Sequence, residues 1–361
     1  MKMEIMQHCF GKPGSGGPVV AFERLISNSA WRYSQIRQTE PAGGLSVVLL
    51  RRFISEISAR RPSLIHVRGL GNEGFHAALA AKISRVPKIL VSIHGTHRDL
   101  TMHARGPRHN IVRNVLEPLT LIMATHIATV CEFAAKRDFL ANYRNKIIGV
   151  VPNGVVIPDA ASRRDISLRS RWGVPEGWPV GICVSRITEE KGYAVLASAL
   201  SLLDRGNQKF SLMIVGGGDE DGRLRSLFAG LRNIKIVFVG HQKDVSSFLS
   251  ASDFFLFPSL HENLSNALIE AMAHGLPVIA TDVGGNTEVV SKGGGILIPV
   301  KNPDAIADAV SRFLCDSTAM RSMGNDAREN VRRNYSVQQM VAGWEAIYAQ
   351  ILEGGRCNGS V

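Results

Sequence analysis

Residues 257–280 read FPSLHENLSNALIEAMAHGLPVIA and predict a strand end, a polar loop, a helix, a turn and the start of another strand. A short apolar run closed by a proline, here Asp253 to Phe257 before Pro258, is typical of a buried strand. Ser265 is a favourable helix N-cap, and Gly275 stands where a helix C-cap is expected. This order of elements indicates an open α/β sheet.

Two carboxylates border the predicted helix. Glu262 lies in the loop before it, and Glu270 lies inside it, eight residues later. Ligands of open α/β sheets bind beyond the carboxyl ends of the strands, and a helix N-terminus at that place attracts anions. Both acids therefore border a place suited to phosphate and to sugar hydroxyls.

Length and composition limit the class of protein. A chain of 361 residues predicts two or three domains, and a hydrophobic content of 45% lets each of them bury a core. The five cysteines have no paired spacing, which is typical of a reducing compartment and argues against structural zinc. The first residues are too short and polar for a signal peptide, and no apolar run is long enough to span a membrane. We therefore expect a cytoplasmic protein.

The positive charge is concentrated in the first half. Residues 1–157 carry 21 Lys+Arg against 9 Asp+Glu, which gives +12, whereas the rest carries 21 against 22, which gives −1. One interpretation is an incidentally basic, solvated surface. The other is attraction to an anionic surface or substrate. Because the sequence has no RNP, zinc-finger or helix-turn-helix pattern, we expect no nucleic-acid partner.

Strand-like apolar runs alternate with helical segments along the whole chain, which predicts parallel sheets covered by helices on both faces. The turn Val151 to Val155 and the weakly periodic stretch after it predict a hinge. The predicted divisions are an N-terminal domain at 1–157, a linker at 158–178, a C-terminal domain at 179–335, and a last helix with its tail at 336–361.

Three features of the first half are candidate site elements. The glycine-rich turn Gly11 to Pro18 lets backbone N–H groups approach a phosphate, but it matches neither the dinucleotide fingerprint nor the P-loop, and a plain flexible turn explains it equally well. His94 ends a predicted strand before Gly95 and should face the crevice, although a lone histidine is more often structural. The cations between Thr96 and Arg113 indicate either a phosphate-binding segment on the acceptor side or a solvated helix start.

The loop after the predicted strand 180–185 carries two further cations. Arg186 offers a planar fork of donors and Lys191 a compact charge, and both suit a diphosphate. The alternative is a surface loop whose cations pair with Glu189 and Glu190.

Taken together, these motifs resemble the retaining GT-B glycosyltransferases of family 4, also called glycosyl transferases group 1. The resemblance is greatest to bacterial members that build surface polysaccharides, including lipopolysaccharide, or glycolipids. It covers nearly the whole chain and rests on the following motifs: the Glu-x7-Glu pair, Pro258-Ser259, Ser185-Arg186 with Lys191-Gly192, Val151 to Gly154, and Gly14 to Gly17. The family implies two Rossmann-like domains that face each other across a cleft, with the last helix crossing back to the N-terminal domain.

The resemblance also implies roles for single residues. Glu270 would bind the ribose hydroxyls of the donor, and Glu262 would contact the hydroxyls of its sugar. Arg186 and Lys191 would bind the diphosphate. The remaining implied positions are Gly16, Gly17, Asn263, Leu264, Ser265 and Asn266 for the donor, and His94 near the transferred sugar. Gly240 and His241, at the end of a predicted strand, are further candidates for the donor. The cation cluster itself, rather than the resemblance, indicates Arg98, Arg105 and Arg108 on the acceptor side.

Three residues depart from the family pattern. Asn263-Leu264 stand where the family has Gly-Phe, and Ser185 replaces a glycine. Asn tolerates positive φ, so the turn can survive, but the sugar pocket can differ.

The family mechanism is a transfer of a hexose or N-acetylhexosamine from a UDP- or GDP-type sugar with retention, in which the leaving phosphate accepts the proton of the acceptor. It needs no cofactor and no metal. We expect a glycan or lipid-linked acceptor and docking of the basic half on the inner face of the plasma membrane. The alternatives are a transferase with a soluble acceptor, like sucrose or glycogen synthases, and a non-catalytic protein that binds nucleotide sugars or nucleic acid.

Overall fold

The chain divides into two units in the computed structural model, which describes residues 4–14, 16–99, 106–159, 166–218 and 221–354. Unit 1 comprises residues 1–154 and 337–361, and unit 2 comprises residues 155–336. Part of the predicted linker, at Leu168 and Val174, is buried in the core of unit 2. The predicted domain limits stay predictions.

Unit 1 contains a parallel sheet of six strands, as the alternation of elements predicts. Its strands are β1 (Ile5–Phe10), β2 (Tyr33–Gln38), β3 (Leu64–Arg68), β4 (Lys88–Ile93), β5 (His126–Thr129) and β6 (Ile147–Val150). Their order in space is β2-β1-β3-β4-β5-β6. The chain therefore changes direction across the sheet between β1 and β3, and this place is the switch point of unit 1.

Helices cover both faces of this sheet. They are α1 (Gly16–Asn28), α2 (Val47–Arg60), α3 (Asn72–Ile83), α4 (Pro107–Ile111), α5 (Glu117–Met123) and α6 (Glu132–Ala135). A π-helical turn, Val112–Leu116, joins α4 to α5. After α6, Arg137 is extended, and a 3₁₀ helix follows from Asp138 to Lys146.

Unit 2 contains a second parallel sheet of six strands. Its strands are β7 (Val180–Val184), β8 (Phe210–Val215), β9 (Ile234–Gly240), β10 (Phe254–Phe257), β11 (Val278–Thr281) and β12 (Gly295–Ile298). Their order is β12-β11-β10-β7-β8-β9, so the switch point of unit 2 lies between β7 and β10. The strands β8, β10 and β11 are buried along their whole length, which explains why the sequence shows them as uninterrupted apolar runs.

The helices of unit 2 lie on both faces of its sheet. They are α7 (Ile166–Arg171), α8 (Tyr193–Arg205), α9 (Asp221–Leu227), α10 (Ser246–Ser250), α11 (Asn266–Ala273), α12 (Gly285–Val290), α13 (Pro303–Cys315) and α14 (Ser317–Asn334). Two apolar cores result, one on each face of the sheet. No helix among the described residues is long and apolar enough to cross a membrane.

The last helix, α15 (Val337–Glu353), returns to unit 1. Its apolar stripe packs against β1, β3 and α1, and Trp344, Ile347, Tyr348 and Ile351 are all buried there. The predicted crossing of the C-terminal helix back to the N-terminal domain is therefore confirmed.

Candidate active site

The predicted donor residues of unit 2 lie on two loops at the switch point of its sheet. β7 and β10 are neighbours, with Gly181 opposite Phe254. The loop 185–192 follows β7, and the loop 258–265 follows β10. Because the next strands, β8 and β11, lie on opposite sides of this pair, the two loops border the crevice where open α/β sheets bind their ligands.

Lys191 and Glu262 form an ion pair at this switch point. The Lys191 ammonium donates to Glu262 Oε1, and the Ser259 hydroxyl donates to the same oxygen at 3.0 Å. The two charged side chains are only 15% and 11% exposed, so their attraction is screened less than that of a surface pair. The structure thus brings together two residues to which the resemblance assigns adjacent parts of one donor, the diphosphate and the sugar.

Close backbone contacts fix the position of Lys191 relative to Glu262. Gly192 has a φ of +72°, and a Cβ there would lie 2.0 Å from the carbonyl oxygen of Pro258. The Leu260 N–H donates to the Glu190 carbonyl at 2.8 Å. Only glycine allows this approach, which makes Gly192 a requirement for the contact between the two loops.

Arg186 is the more accessible cation of the loop after β7. Its side chain is 71% exposed, and Nη2 lies 3.2 Å from Glu190 Oε1. The interpretation in which a loop cation pairs with a neighbouring glutamate therefore holds for Arg186. Since such exposed pairs contribute about 1 kcal/mol or less, Arg186 can exchange Glu190 for an anionic ligand at little cost. Within the described ranges, no group of three or more His, Cys, Asp or Glu side chains is arranged to hold a metal ion.

The loop 258–265 and the start of α11 are held by residues that the sequence analysis did not assign to the site. The Gly285 N–H donates to the Asn263 carbonyl at 2.7 Å, and a Cβ on Gly285 would lie 2.0 Å from that oxygen. The Thr281 hydroxyl donates to the Ser259 carbonyl at 2.5 Å. The run TDVGG at 281–285, directly after a predicted strand, was the signal that could have shown these contacts.

Helix α11 begins as predicted. The Ser265 side chain caps it by accepting a hydrogen bond from the Leu268 N–H at 3.3 Å. Asn266 is the first helical residue, and the partly buried Glu270 follows one turn later. The unpaired N–H groups of a helix start favour an anion near Asn263 and Leu264.

A glycine triplet after β8 supports the loop that carries Arg186. A Cβ on Gly216 would lie 1.8 Å from the carbonyl oxygen of Ser185, and one on Gly218 would lie 2.3 Å from that of Ile187. The predicted donor residues Gly240 and His241 adjoin this triplet, because the Gly216 N–H donates to the Gly240 carbonyl at 2.8 Å. His241 itself is exposed.

In unit 1, Gly16 and Gly17 are the first two residues of α1. Gly16 has a φ of +71°, with no atom within 4 Å of the position a Cβ would take. Because these two residues have no side chains, the N–H groups at the start of α1 are accessible, as the predicted phosphate contact requires.

His94 follows β4 at the carboxyl end of the same sheet. Its Nε2 lies 3.1 Å from Ser92 Oγ. Burial, and then the charge of Arg68, lowers the pKa of His94 to about 3. At neutral pH His94 is therefore an uncharged imidazole, which can bind a sugar hydroxyl but does not supply positive charge.

The predicted acceptor-side cations differ in their surroundings. Arg98 Nε lies 3.2 Å from the buried carboxylate of Glu117, and its Nη2 donates to the Arg113 carbonyl at 2.7 Å. Arg108 is exposed on α4. Arg105 lies outside the described residues. The site assignments in both units stay predictions.

Comparison with known families identifies the chain. One family sequence model, described as glycosyltransferase family 4, matches residues 15–157, and another, described as glycosyl transferases group 1, matches residues 179–316. Together they match most of the chain. The chain belongs to the family 4 (group 1) glycosyltransferases. It is a glycosyltransferase that acts on nucleotide sugars, with the two Rossmann-like units of the GT-B fold.

Similar sequences and structures agree with this membership. The transferase is 29% identical over 278 residues to N-acetyl-alpha-D-glucosaminyl L-malate synthase of Bacillus anthracis, covering 76% of this chain and 70% of that one. It is 26% identical over 277 residues to the putative teichuronic acid biosynthesis glycosyltransferase TuaC of Bacillus subtilis, covering 76% and 67%.

Among solved structures, a glycosyltransferase of Rickettsia africae matches with a TM-score of 0.75 at 23% identity, covering 98% of this chain and 99% of that one. Anabaena HepE in complex with UDP matches with a TM-score of 0.76 at 17% identity, covering 96% and 100%. At these identities the two matches show the fold alone.

Proposed function

We propose that the transferase moves a hexose or N-acetylhexosamine from a UDP- or GDP-type sugar to a glycan or lipid-linked acceptor, with retention, in bacterial surface polysaccharide synthesis. The observation that carries the proposal is the Lys191–Glu262 pair at the switch point of unit 2, next to the start of α11. Lys191 supplies a cation for a phosphate, and Glu262, in direct contact with it, supplies a carboxylate for a sugar hydroxyl. The biosynthetic name of the TuaC relative supports the polysaccharide context.

In the proposed reaction, loss of the nucleoside diphosphate builds negative charge on the distal phosphate. Lys191 and Arg186 neutralise it, and no metal is required. One well-placed donor of this kind contributes about 3 kcal/mol to stabilisation of the transition state. Hydrogen bonds from Lys191 and Ser259 to one oxygen hold the Glu262 carboxylate in place. Held in this way, Glu262 orients the sugar by accepting hydrogen bonds from its hydroxyls.

The donor is tested by a thermal-shift screen with UDP, GDP, ADP and their sugars, since a ligand that binds only the folded state raises the apparent melting temperature. The Glu270→Ala variant should lose most of the shift, because Glu270 is the proposed ribose ligand. Glu262→Ala should slow transfer more than it weakens nucleotide binding. The exposed Glu176→Ala, in the same unit, serves as the control. Wild-type transfer rates in both site variants would rule out the site assignment.

The proposed chemistry has two further checks. The anomeric configuration of the product, read by NMR, should match that of the donor sugar. Transfer should also continue in excess chelator. Inversion of configuration, or loss of activity that a divalent cation restores, would contradict the proposed retaining, metal-free mechanism.

An exposed apolar stripe in unit 1 supports a lipid-linked acceptor over a soluble one. The stripe consists of four residues on α4, the π-helical turn and α5. Successive members are four, four and three positions apart, so they lie on one side of the helix, and their side chains are 40 to 58% exposed. They are Ile111, Val115, Leu119 and Ile122. The exposed cations Arg108 and Arg113 lie on the same helical segment, in the half of the chain that carries the net charge of +12. Apolar residues beside cations are the pattern of a helix that lies in an anionic membrane surface.

Flotation with vesicles tests this docking at low salt. We expect more protein to float with anionic than with neutral lipid, because each Lys or Arg near such a surface contributes about 1 kcal/mol. The Val115→Ser and Ile122→Ser double variant should float less, whereas Leu227→Ser, at an exposed leucine of unit 2, should not change flotation. Equal flotation with neutral and anionic lipid would remove the membrane part of the proposal and favour the soluble acceptor.

A further inference from the structure

One face of the sheet of unit 1 becomes more polar toward the switch point. On the side that packs against α1 and α15, Ile5 of β1 lies beside Leu64 of β3, and both are buried and apolar. Since side chains alternate along a strand, the next row on this face contains Gln7, His66 and Leu90, and the row after it contains Cys9, Arg68 and Ser92. The last of these rows lies at the carboxyl ends of the strands, where open α/β sheets bind ligands.

Arg68 is the charged residue of this row and is only 6% exposed. Its Nη1 donates to Gln7 Oε1 at 2.7 Å and lies 3.4 Å from the carbonyl oxygen of His8. Its guanidinium lies 5.0 Å from the centre of the Phe22 ring. All of these partners are uncharged, and the guanidinium has five N–H donors, so donors remain after these contacts.

The groups around Arg68 do not supply a compensating negative charge. Burial raises the pKa of Tyr33 to about 12 and raises that of Tyr348 and of the Cys9 thiol, so all three are neutral at pH 7. Burial, with the charge of Arg68, lowers the pKa of His66 well below its ordinary range. The histidine is therefore neutral as well.

The two carboxylates whose charges act on Cys9 and Tyr33, Glu23 and Glu345, are engaged elsewhere. Glu23 accepts from the Gly14 N–H at 3.3 Å and lies 4.0 Å from Arg37, and Glu345 accepts from the Ser29 hydroxyl at 2.6 Å. No described carboxylate forms an ion pair with Arg68. A buried charge without a counter-charge is strongly destabilising, so its presence at a switch point needs a reason.

We propose that Arg68 binds an oxyanion, a phosphate or a carboxylate, that is part of the acceptor. The fork of the guanidinium matches both groups with two parallel hydrogen bonds, and the anion would supply the missing counter-charge. Gly69, which follows with a φ of +87°, adds no side chain beside this place. The identification of the ligand as the acceptor rests on the proposed function, whereas the binding of an oxyanion by Arg68 does not.

A purely structural Arg68, one that only supports Gln7 and the sheet, is the competing explanation. Its replacement would lower stability but would not change anion binding selectively. The Arg68→Gln variant keeps hydrogen-bond donors at the position and removes the charge. Arg51→Gln, at an exposed arginine of α2, is the matched control.

Calorimetric titration of the full chain without donor, at constant ionic strength, tests the proposal. The probes are inorganic phosphate, succinate, and dihexanoyl phosphatidic acid below its micellar concentration. We expect saturable binding of at least one probe, weakened about ten- to a hundred-fold in Arg68→Gln and unchanged in Arg51→Gln. The titrations are repeated with the Lys191→Met variant, so that phosphate bound through Lys191 in unit 2 is distinguished from phosphate bound through Arg68. Tightest binding of the short-chain lipid would identify a lipid phosphate, and tightest binding of phosphate or succinate a soluble acid.

If Arg68→Gln does not fold, the arginine Nε–Hε NMR signal of wild-type Arg68, assigned with Arg68→Lys, provides a second measurement. Movement of this signal with phosphate or succinate, but not with chloride, is the expected result. Absence of any saturable binding in the wild type, or equal binding in Arg68→Gln, would overturn the proposal. Anion binding through Arg68 in a chain that transfers no sugar would contradict the proposed function alone.

Discussion

Each parallel sheet of the molecule has a switch point, but the two switch points carry their charges in different ways. In unit 2, charged side chains on loops beyond the strands pair with one another, as Lys191 does with Glu262. In unit 1, the polar groups belong to the strands themselves, and neutral histidines surround one buried arginine, Arg68. The difference shows that strand order determines where a ligand can bind, while the residues placed there determine whether a cation is already paired before the ligand arrives.

The strand interiors explain this difference. β8, β10 and β11 of unit 2 are buried and contain no charged residue, so the charges at its switch point stand on the loops that follow the strands. β1 and β3 of unit 1 bury Gln7, His8, His66 and Arg68 beside Tyr348 of α15. Among the described residues, unit 1 therefore buries histidines and an arginine, which unit 2 does not, and its stability should respond differently to pH and to the loss of single polar atoms.

Acidification should destabilise unit 1 more than unit 2, and this is the largest difference that we expect between them. Burial lowers the pKa of His8 and His94 to about 3 and that of His66 well below its ordinary range, whereas in unit 2 burial lowers the pKa of His274 to about 4. Between these values and about pH 6.5 the unfolded chain binds more protons than the folded one. The stabilisation is therefore complete above about pH 6.5 and decreases as the pH falls, by about 1.4 kcal/mol per pH unit for each histidine.

We expect unit 1 to lose stability at least three times as steeply as unit 2. Among the described residues, burial lowers the pKa of four histidines in unit 1, the three above and the less buried His126, and that of His274 in unit 2. Hydrogen exchange of the amides in β1 and β3, compared with β7 and β10 at pH 7.0 and 5.5 and corrected for intrinsic rates, measures this. Equal loss of protection in the two sheets would contradict the comparison.

The Lys191→Met substitution probes the paired charges of unit 2. We expect kcat to fall by about 10²–10³, because a donor to the leaving phosphate is lost. The change also leaves the largely buried Glu262 without its cation. Steady-state kinetics with the donor found by the thermal-shift screen measure the effect, and Lys243→Met, at an exposed lysine of the same unit, is the control. A kcat within about twofold of wild type would exclude Lys191 from phosphate stabilisation.

The loop contact that positions Lys191 is tested by Gly192→Ala. The new Cβ would lie 2.0 Å from the Pro258 carbonyl oxygen, at a φ of +72°. We expect unit 2 to lose about 3 kcal/mol through backbone strain and overpacking. Gly177→Ala is the matched control, because Gly177 has a φ of +74° with open space around it, and it should cost about 1 kcal/mol. Equal melting temperatures for the two variants would show that the loops can separate without cost.

The sequence predicted the fold better than the site. Apolar runs such as Phe210 to Val215 are buried strands, and the N-cap Ser265 caps α11 as its position indicated. The pairing of Lys191 with Glu262 could not be predicted from the residues alone, because it depends on β7 and β10 being neighbours although 71 residues separate the two side chains. Arg68 gave no signal either, since a single arginine at the end of an apolar run does not show whether it is buried or paired.

The smallest expected effect concerns the polar core of unit 1. The Tyr348 hydroxyl lies 2.7 Å from His66 Nδ1 and accepts from Gln7 Nε2 at 2.9 Å. Tyr348→Phe would leave both buried groups without this partner, which should cost about 2 kcal/mol. Tyr143→Phe is the control, because no described group forms a hydrogen bond with the Tyr143 hydroxyl. Urea titration followed by tryptophan fluorescence reports the difference, since Trp344 stacks on the Tyr348 ring. If both variants unfold at the wild-type midpoint, the polar rows of unit 1 do not contribute to its stability, and the contrast between the two switch points would be one of ligand binding alone.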